Sequence, residues 1–433
     1  MRFAGLDLHK QEIEAAIVDE SGKLLHRERF ACTREALEMF ARKHLQNAQV
    51  AVEATFHTWP IVAILEPLVQ EVVISNPLRT KAIAQAKIKT DKVDALVLAQ
   101  LLRCDYLPRV WRPDAATQSL RRITTERANL TSDRTRIKNR IHAVLHQHLL
   151  TPPCADLFAA EGQVWLKKLE LAPHWRANLD RLLEQLALIE SQTEDLTQTQ
   201  AERAFGDDEV KLLMSLPGVD FSVAQTLKAA LGDITRFPTP QRAAAYLGLV
   251  PSTHQSGNHC YHGKITKQGR GHARWMLVQA AQHVSAHPGP LGVFFRRIAK
   301  KKNRNLAVVA AAHKLVLIAW HMLKNNEPYR YAQPATTQEK FARLRRRVGK
   351  RLPNGSRKGT PRPANYGSGV RTRAVASLDE TYAANGLPAL RSPAGGELTM
   401  LATHGVTDFA AAVRQAKRVP RKGDRALAPA QLQ

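Results

Sequence analysis

Four carboxylates carry the strongest chemical signal in this sequence, namely Asp7, Glu53, Asp91 and Asp94. Asp91 and Asp94 are three residues apart at the start of a predicted helix, so their side chains share one face of it. Carboxylates that are brought together repel one another unless cations neutralise them. Oxygen ligands suit Mg²⁺, with Mn²⁺ as the alternative, better than zinc. If the four groups converge, they predict a divalent-metal centre that acts on phosphodiester bonds.

The first 112 residues have the pattern of an α/β domain that would bring these carboxylates together. The predicted order is strands at 3–8, 12–18 and 24–30, a helix at 34–45, a strand at 49–54, a helix at 59–68 and a strand at 72–75. Three meandering strands followed by alternating helix and strand is the order of an RNase H-like sheet. Asp7 and Glu53 then end neighbouring strands, and we expect them at one edge of the sheet.

A second group of reactive and basic residues lies between residues 252 and 274, mostly within residues 251–271, which we predict to be a polar loop. Ser252 and Ser256 are candidate nucleophiles there, although a loop serine is more often only a turn residue. A serine hydroxyl attacks phosphate poorly unless its proton is removed or the phosphate charge is neutralised. The basic side chains of this segment are candidate phosphate ligands: Lys264, Lys267, Arg270 and Arg274.

The rest of the chain divides by composition into three parts. Residues 113–205 contain two long helices, and the seven-residue spacing of Ile123, Leu130, Ile137 and Val144 in the first predicts a coiled-coil arm. Residues 206–330 are mainly helical. Within them, residues 216–219 form either a glycine turn that binds a DNA phosphate or a tight packing turn.

The last part, residues 331–433, is rich in Pro, Gly and Arg. We predict it to be a basic, largely flexible tail with one short helix at 408–417 that begins from a Thr407 cap. Its basic side chains form one cluster between residues 343 and 351 and a second at Arg421 and Lys422.

The charge of the chain points to a polyanionic partner. Lys and Arg number 64 against 38 acidic residues, a net charge of +26, and nucleic acid is the expected partner. Four cysteines without a C-x-x-C pair favour a reducing cytoplasm over a disulfide framework or a thiolate metal site. No apolar run of membrane-spanning length is evident, so we expect no membrane partner.

Several motifs resemble one known family. They are Gly5-Leu6-Asp7-Leu8-His9-Lys10, Val52-Glu53-Ala54-Thr55, Ser75-Asn76-Pro77, Lys89-Thr90-Asp91-Lys92-Val93-Asp94-Ala95, Leu216-Pro217-Gly218-Val219, Ala245-Tyr246-Leu247-Gly248-Leu249-Val250-Pro251, Ser256-Gly257 and Lys264-Ile265-Thr266-Lys267-Gln268-Gly269. In this order they resemble the insertion-sequence-110 family of transposases over roughly residues 1–330. Two positions depart from the family pattern: Gln255 replaces a frequent serine, and Phe56 stands where a glycine commonly follows Glu-Ala-Thr.

The resemblance implies an RNase H-like (RuvC-like) domain whose four carboxylates bind Mg²⁺, and a helical transposase domain that supplies Ser256 as the nucleophile. It implies that Ser256 forms a covalent phosphoserine with DNA, with Ser252 as the minor rival. It further implies a structured guide RNA, donor and target DNA, and a homo-oligomer, dimer or tetramer, in which the two domains of one site come from different subunits. A bacterial cytoplasmic protein associated with the nucleoid is expected.

Two other functions are also consistent with the sequence. The chain can be a metal-dependent endonuclease of the Holliday-junction type, which hydrolyses DNA with water and forms no covalent intermediate. It can also be a nucleic-acid-binding scaffold without catalysis. The residues alone favour the nuclease, and the resemblance favours strand exchange through serine.

Overall fold

The computed structural model describes residues 1–83, 91–257, 259–349 and 372–420. The chain divides into two units, Met1–Pro113 and Asp114–Gln433. Each unit has apolar cores of its own. Some residues of the sequence motifs and of the predicted tail lie outside the described residues: Lys89, Thr90, Lys350, Arg351, Arg421 and Lys422.

The first unit is built on a five-stranded sheet with helices on both faces. Its elements are β1 (Arg2–Leu8), β2 (Glu12–Val18), β3 (Leu24–Ala31), α1 (Arg34–His44), β4 (Ala48–Glu53), α2 (Thr58–Leu65), β5 (Glu71–Ser75), α3 (Pro77–Ile83) and α4 (Asp91–Arg103). The order across the sheet is β3-β2-β1-β4-β5. β2 is antiparallel to both of its neighbours, while β4 is parallel to β1 and to β5.

Alternating side chains of the strands supply two separate apolar layers, as the period of two in a strand requires. On one face, Leu6 and Val52 pack with the buried side chains of α1 and α2. On the other face, Phe3, Ala51 and Val73 pack with α4. The predicted candidate residue Asp7 belongs to the face that α4 covers, because it is in step with Phe3 along β1.

The second unit begins with two antiparallel helices of 33 residues each, α5 (Ala115–Gln147) and α7 (Pro173–Phe205), with the short α6 (Ala160–Lys168) between them. Their direction follows from cross-contacts: Arg127 Nε donates to Thr197 Oγ1 at 3.1 Å, and Lys138 Nζ lies 3.4 Å from Glu190. Of the predicted seven-residue series, Ile137 and Val144 are buried, whereas the first two members are only half-buried. Coiled-coil packing along the whole pair stays a prediction.

Helices also form most of the body of the second unit. Its elements are α8 (Asp208–Met214), α9 (Phe221–Leu231), a 3₁₀ turn (Ile234–Arg236), α10 (Pro240–Tyr246), β6 (Pro251–Ser256), β7 (His259–Ile265), α11 (Gly271–Gln282), α12 (Pro290–Lys301) and α13 (Arg304–Asn325). One large core joins all of these helices. The predicted polar loop is therefore wrong for residues 251–256 and 259–265, which form two antiparallel strands.

Helix α13 corrects the expectation that no segment reaches membrane-spanning length. By length and composition alone, this helix is long and apolar enough to cross a membrane. Half of the stretch is buried within the unit, where it contacts α10, α11 and α12. A helix at the centre of a helical core has the same length and composition.

The predicted flexible tail is wrong for the residues that the structure describes. They form α14 (Pro334–Arg347), β8 (Thr372–Val375), α15 (Leu378–Ala383), α16 (Gly395–Thr403), α17 (Thr407–Ala412) and β9 (Lys417–Pro420). Apolar residues are sparse in this segment, but Phe341, Leu344, Leu378 and Tyr382 all lie in the main core of the second unit. The predicted helix at 408–417 is also too long, because α17 ends at Ala412 and Lys417 begins a strand.

Candidate metal centre and nucleophile

The carboxylates of the first unit meet where β1 and β4 end. Leu6 pairs with Val52 in the parallel register, so the next residues, Asp7 and Glu53, are neighbours on adjacent strands. Residues at the same level of a parallel pair point to the same face of the sheet. The strand register therefore brings Asp7 and Glu53 together on the face that α4 covers.

Helix α4 lies directly on β1 because Gly5 has no side chain. A Cβ at Gly5 would be 2.1 Å from the carbonyl oxygen of Ala95 and 2.6 Å from the amide nitrogen of Ala99. Gly5 and Asp7 point to the same face, and Asp91 and Asp94 occupy the first turn of α4, next to Ala95. The close approach at Gly5 thereby places the two helical carboxylates beside Asp7.

Direct contacts join Asp7 to Asp91 through His9. The Nε2 atom of His9 lies 3.1 Å from Asp7 Oδ2 and 3.3 Å from Asp91 Oδ1. Arg29 holds the other side of Asp91, with its NH2 group 3.1 Å from Oδ2. The same guanidinium donates through Nε to Glu14 at 2.9 Å. A histidine and an arginine thus separate carboxylates that would otherwise repel one another.

The electrostatics at Asp7 are those of a confined acidic site. Asp7 is 8% exposed, and burial raises the pKa of its carboxyl group. His9 lowers that pKa, whereas the nearby charges of Asp94 and Asp91 raise it. Glu14, which pairs with Asp7 across β1 and β2, is 2% exposed and adds a further carboxylate to the same face. The site therefore gathers negative charge that a cation would stabilise.

The donor set fits a hard divalent cation. One ligand atom each of Asp7, His9 and Asp91 lies within 4.8 Å of the others. Asp94 is close enough to raise the pKa of Asp7, and the strand register places Glu53 next to Asp7. Carboxylate oxygens are the preferred ligands of Mg²⁺ and Mn²⁺. The arrangement can hold such an ion at the edge of the sheet.

The two candidate serines occupy different positions in the hairpin of the second unit. Ser256 is exposed at the end of β6, next to Gly257, whose φ is +54°. Ser252 is half-buried, and its Oγ atom lies over Gly263, where a Cβ would be 2.4 Å away. Within the described part of the chain, no side chain hydrogen-bonds to Ser256 Oγ. An incoming phosphate can reach Ser256 more easily than Ser252.

The four basic residues near the hairpin also differ in what they can do. Lys264 and Lys267 are exposed. Arg274 uses its NH1 group to donate to the carbonyl oxygens of Leu247 and Gln268, both at 3.0 Å, so it stabilises the local turn. Arg270 is half-buried, and burial followed by the charge of Arg121 lowers its pKa. The two lysines are the better placed pair for a phosphate backbone.

The turn at residues 216–219 serves packing. A Cβ at Gly218 would be 2.2 Å from the carbonyl oxygen of Ala280 in α11. On the other side, the ammonium of Lys340 donates to the carbonyl oxygens of Leu216 at 2.7 Å, Val219 at 3.1 Å and Met214. Of the two interpretations that the sequence allowed, the structure favours the tight packing turn over the phosphate-binding one.

Sequence reasoning missed three residues of the acidic site. The sequence motifs include His9 without indicating a role for it, and they do not point to Glu14 or Arg29. The signal for Glu14 was available in the hairpin, because counting outward from the turn between β1 and β2 pairs it with Asp7. Arg29 on β3 in turn pairs with Glu14 on β2.

Two family models match this chain. One describes the transposase domain with the D-E-D-D signature of IS110 elements and covers residues 4–150, and the other, the transposase IS116/IS110/IS902 family, covers residues 210–293. The first contains all four predicted carboxylates, and the second contains the hairpin with Ser256. The matches thus cover both candidate sites.

Several curated relatives are also transposases. The chain is 24% identical over 343 residues to the transposase for insertion sequence element IS1111A of Coxiella burnetii, covering 76% of this chain and 92% of the relative. It is 25% identical over 342 residues to a probable family 20 transposase of Pseudomonas aeruginosa, covering 75% and 98%. A pilin gene-inverting protein of Moraxella bovis is 25% identical over 272 residues, covering 60% and 74%. The chain thus contains the two domains that the family models describe for IS110 transposases, and these matches identify it as a DNA transposase.

Proposed function

We propose that this transposase cleaves and exchanges DNA strands through Ser256, with Mg²⁺ bound at the carboxylate site of the first unit. The observation that carries the proposal is the convergence of Asp7, Asp91 and Asp94 at the sheet edge where Glu53 also ends its strand. A site of this composition is suited to phosphodiester chemistry. Mn²⁺ is expected to replace Mg²⁺ because it prefers the same oxygen donors.

We further propose that the first unit is an RNase H-like, RuvC-like domain. The support is its strand order, β3-β2-β1-β4-β5, with an antiparallel meander on one side and two parallel strands on the other. In this arrangement the first and fourth strands are neighbours, with Asp7 next to the last residue of β1 and Glu53 as the last residue of β4.

Asp7, Glu53, Asp91 and Asp94 are the residues that would hold the metal. A divalent ion bound there supplies positive charge that polarises a phosphate oxygen and makes the phosphorus more electrophilic. His9 and Arg29 have a different part, since they hold Asp7 and Asp91 in position when that charge is absent.

The proposed reaction keeps the number of phosphate ester bonds constant. The Ser256 oxygen forms a bond to phosphorus, its proton passes to solvent or to a nearby base, and one phosphorus–oxygen bond to a deoxyribose breaks. The departing sugar oxygen takes up a proton. In the second half, a sugar hydroxyl of another strand attacks the phosphoserine and releases Ser256. Because one phosphate ester is exchanged for another at each step, no external energy source is required.

The partners follow from the charge and from the relatives. A net charge of +26 favours binding to nucleic acid, and we propose donor and target DNA together with a structured guide RNA. The relative described as a pilin gene-inverting protein supports strand exchange over simple cutting. We also propose a homo-oligomer, dimer or tetramer, in which the carboxylates and Ser256 of one site come from different subunits, acting on nucleoid DNA in a bacterial cytoplasm.

A denaturing gel with end-labelled DNA tests the serine. Protein purified with its co-bound RNA is incubated with Mg²⁺ and a labelled duplex that carries an end of the element and its flank. We expect a covalent protein–DNA band that Ser256→Ala abolishes and the matched variant Ser252→Ala retains. Asp91→Asn should abolish both the band and all cleavage.

The same gel separates the rival functions. Cleavage products without a covalent band, unchanged in Ser256→Ala, would replace strand exchange by a hydrolytic nuclease of the Holliday-junction type. Absence of any cleavage by the wild-type protein, with tight binding of DNA and RNA retained, would favour the scaffold. A band retained in Ser256→Ala but lost in Ser252→Ala would move the nucleophile to Ser252.

A further inference from the structure

Large apolar side chains are exposed where the chain leaves β4 and β5. Phe56 and Trp59 follow β4, and Leu78 follows β5. Because β1, β4 and β5 are parallel, their last residues lie at one edge of the sheet. Asp7 and Glu53 lie at this same edge. The exposed apolar side chains therefore border the carboxylate site.

The loop that carries Phe56 is held in place by a buried hydroxyl group. Thr58 Oγ1 accepts a hydrogen bond from the amide of Thr55 at 2.7 Å. Its own proton points to the carbonyl oxygens of Thr55 at 2.9 Å and Glu53 at 3.2 Å. Since one of these acceptors belongs to Glu53, the loop has a defined position relative to that carboxylate residue.

The ring of Phe56 has one neighbouring ring and is otherwise open to solvent. It lies against His57, with ring centroids 3.8 Å apart and planes tilted by 48°. Even so, Phe56 is 74% exposed. Covering such a ring with another flat apolar surface removes it from water and is favourable. Phe56 is thus available to stack on a planar group of a partner.

The distance along the chain limits which part of a bound DNA strand Phe56 can reach. Three residues separate Phe56 from Glu53, so their Cα atoms are at most about 11 Å apart. Successive nucleotides of one strand are about 3.4 Å apart along the axis of B-DNA. A strand whose phosphate lies at the carboxylates would therefore pass Phe56 within about three nucleotides.

Cations at the same edge of the sheet favour nucleic acid as the partner. Arg79 and Lys81 are exposed on α3, directly after β5. Neither side chain forms an ion pair with a residue that the structure describes. An aromatic ring for a base, together with cations for the phosphates, is the combination that binds unpaired nucleic-acid strands.

We propose that Phe56 stacks on an unpaired base of the DNA strand, within about three nucleotides of the phosphate that is cleaved. A base inside a duplex has both faces covered by its neighbours, so the strand must open there for the ring to enter. Stacking is tolerant of sequence because every base has a flat face. Phe56 therefore fixes the position of the strand and does not read its sequence. This inference rests on the proposed binding of the cleaved phosphate at the carboxylate site.

A thermodynamic cycle between the ring and single bases tests the proposal. Full-length protein with its co-bound RNA is titrated in Ca²⁺ with labelled duplexes that span the junction of the element and its flank. Single abasic sites are placed at each of about three positions on either side of the junction, and a denaturing gel verifies that the DNA is intact. At one or two adjacent positions, the ratio of abasic to intact affinity should differ roughly tenfold between the wild type and Phe56→Ala. The other positions should show equal ratios.

Matched variants separate stacking from other apolar contacts. Phe56→Trp should keep the coupling, whereas Phe56→Leu should lose it although it retains an apolar side chain. Met39→Ala is the control, because Met39 is 68% exposed on α1 and should leave affinity and coupling unchanged. Circular dichroism shows whether the variants fold.

Two results would overturn the proposal. One is an equal ratio at every position for the wild type and folded Phe56→Ala. The other is a smaller oligomer of Phe56→Ala in light scattering with uniformly weaker binding, which would assign the ring to a contact between copies of the chain. The covalent band of Ser256 reports on the proposed chemistry separately, since its absence would overturn the serine reaction without changing the coupling measured in Ca²⁺.

Discussion

Burial of Asp7 favours its neutral form, whereas metal binding would require its ionised form. Its carboxyl group is buried at the end of β1, with the carboxylates of Asp91 and Asp94 nearby. Burial and these neighbours raise its pKa above the value in an unfolded chain, so that the ionised form is disfavoured in the folded protein. A metal ion would reverse this preference, because it binds the ionised form.

Asp7→Asn should stabilise the metal-free protein at pH 7. Because the pKa is raised on folding, the unfolding free energy that Asp7 contributes is largest at acidic pH and is lost as the pH rises through the folded-state pKa. In EDTA, urea denaturation should therefore show the variant to be more stable at pH 7 and nearly equal to wild type at acidic pH. Mg²⁺ should stabilise the wild type alone. A variant that is less stable in EDTA at pH 7 would contradict this account.

From the sequence, individual residues of the site could be predicted only where a strand end or the spacing along a helix indicates their position. Asp7, Asp91 and Asp94 satisfy such local rules. Glu14 and Arg29 require the strand register, and the use of Arg274 requires knowledge of which carbonyl oxygens lie within its reach. The charge of a side chain does not show whether it faces a ligand or its own backbone.

At the scale of elements, α14 joins the C-terminal segment to the rest of the second unit. Lys340 inserts its ammonium among the carbonyl oxygens of Met214, Leu216 and Val219 at the end of α8. Burial lowers the pKa of this lysine to about 7. The helix therefore contributes both apolar packing and a titratable contact.

The unfolding free energy should rise with pH above 7 because of Lys340. The unfolded lysine keeps its proton to a pKa of about 10.4, whereas the folded one releases it near 7, so the unfolded state binds more protons in this window. Lys340→Met should remove this part of the pH dependence and cost about 1–3 kcal/mol at neutral pH by leaving buried carbonyls without a donor. Urea denaturation at pH 7, 8 and 9 measures both; parallel profiles for the two proteins would refute the assignment.

Tyr382 on α15 tests the packing of the same segment. Its ring is fully buried, and its hydroxyl donates to the carbonyl oxygen of Tyr329 at 2.7 Å. Tyr382→Ala should cost about 3–5 kcal/mol, the range for a large aromatic side chain removed from a core. Tyr382→Phe should cost about 1 kcal/mol, the value of one hydrogen bond. Thermal unfolding compares them, and an unchanged melting temperature in Tyr382→Ala would show that the segment does not support the core.

Helices and strands with a clear alternation of apolar and polar residues were predicted well, whereas elements without such a pattern were not. Each strand and helix predicted between residues 3 and 75 is present with its ends shifted by three residues at most. The hairpin β6–β7 was missed because its residues are polar on both sides, which leaves no alternation to detect. The C-terminal segment was missed because its few apolar residues reach a core made by distant parts of the chain.

At the scale of the whole molecule, the excess of 26 positive charges makes nucleic-acid binding depend on salt. Lys264→Ala and Lys267→Ala should each reduce the slope of log affinity against log salt by about one, because each removes one phosphate contact. Lys168→Ala is the matched control, since this exposed lysine lies on α6 and should leave the slope unchanged. Fluorescence anisotropy with labelled duplex DNA at several salt concentrations gives the slopes; equal slopes for all four proteins would remove the hairpin lysines from the interface.

The spacing of the proposed metal ligands depends on the absence of a side chain at Gly5. With a methyl group at position 5, the backbone of α4 would have to retreat by about 1 Å to relieve the 2.1 Å approach to Ala95. Asp91 and Asp94 would retreat with it while Asp7 stayed on its strand. Every ligand would still be present, yet the cage would be too wide for a small ion. If these carboxylates bind the metal as we propose, Gly5, a position with no functional group, would help to determine which ions fit the site.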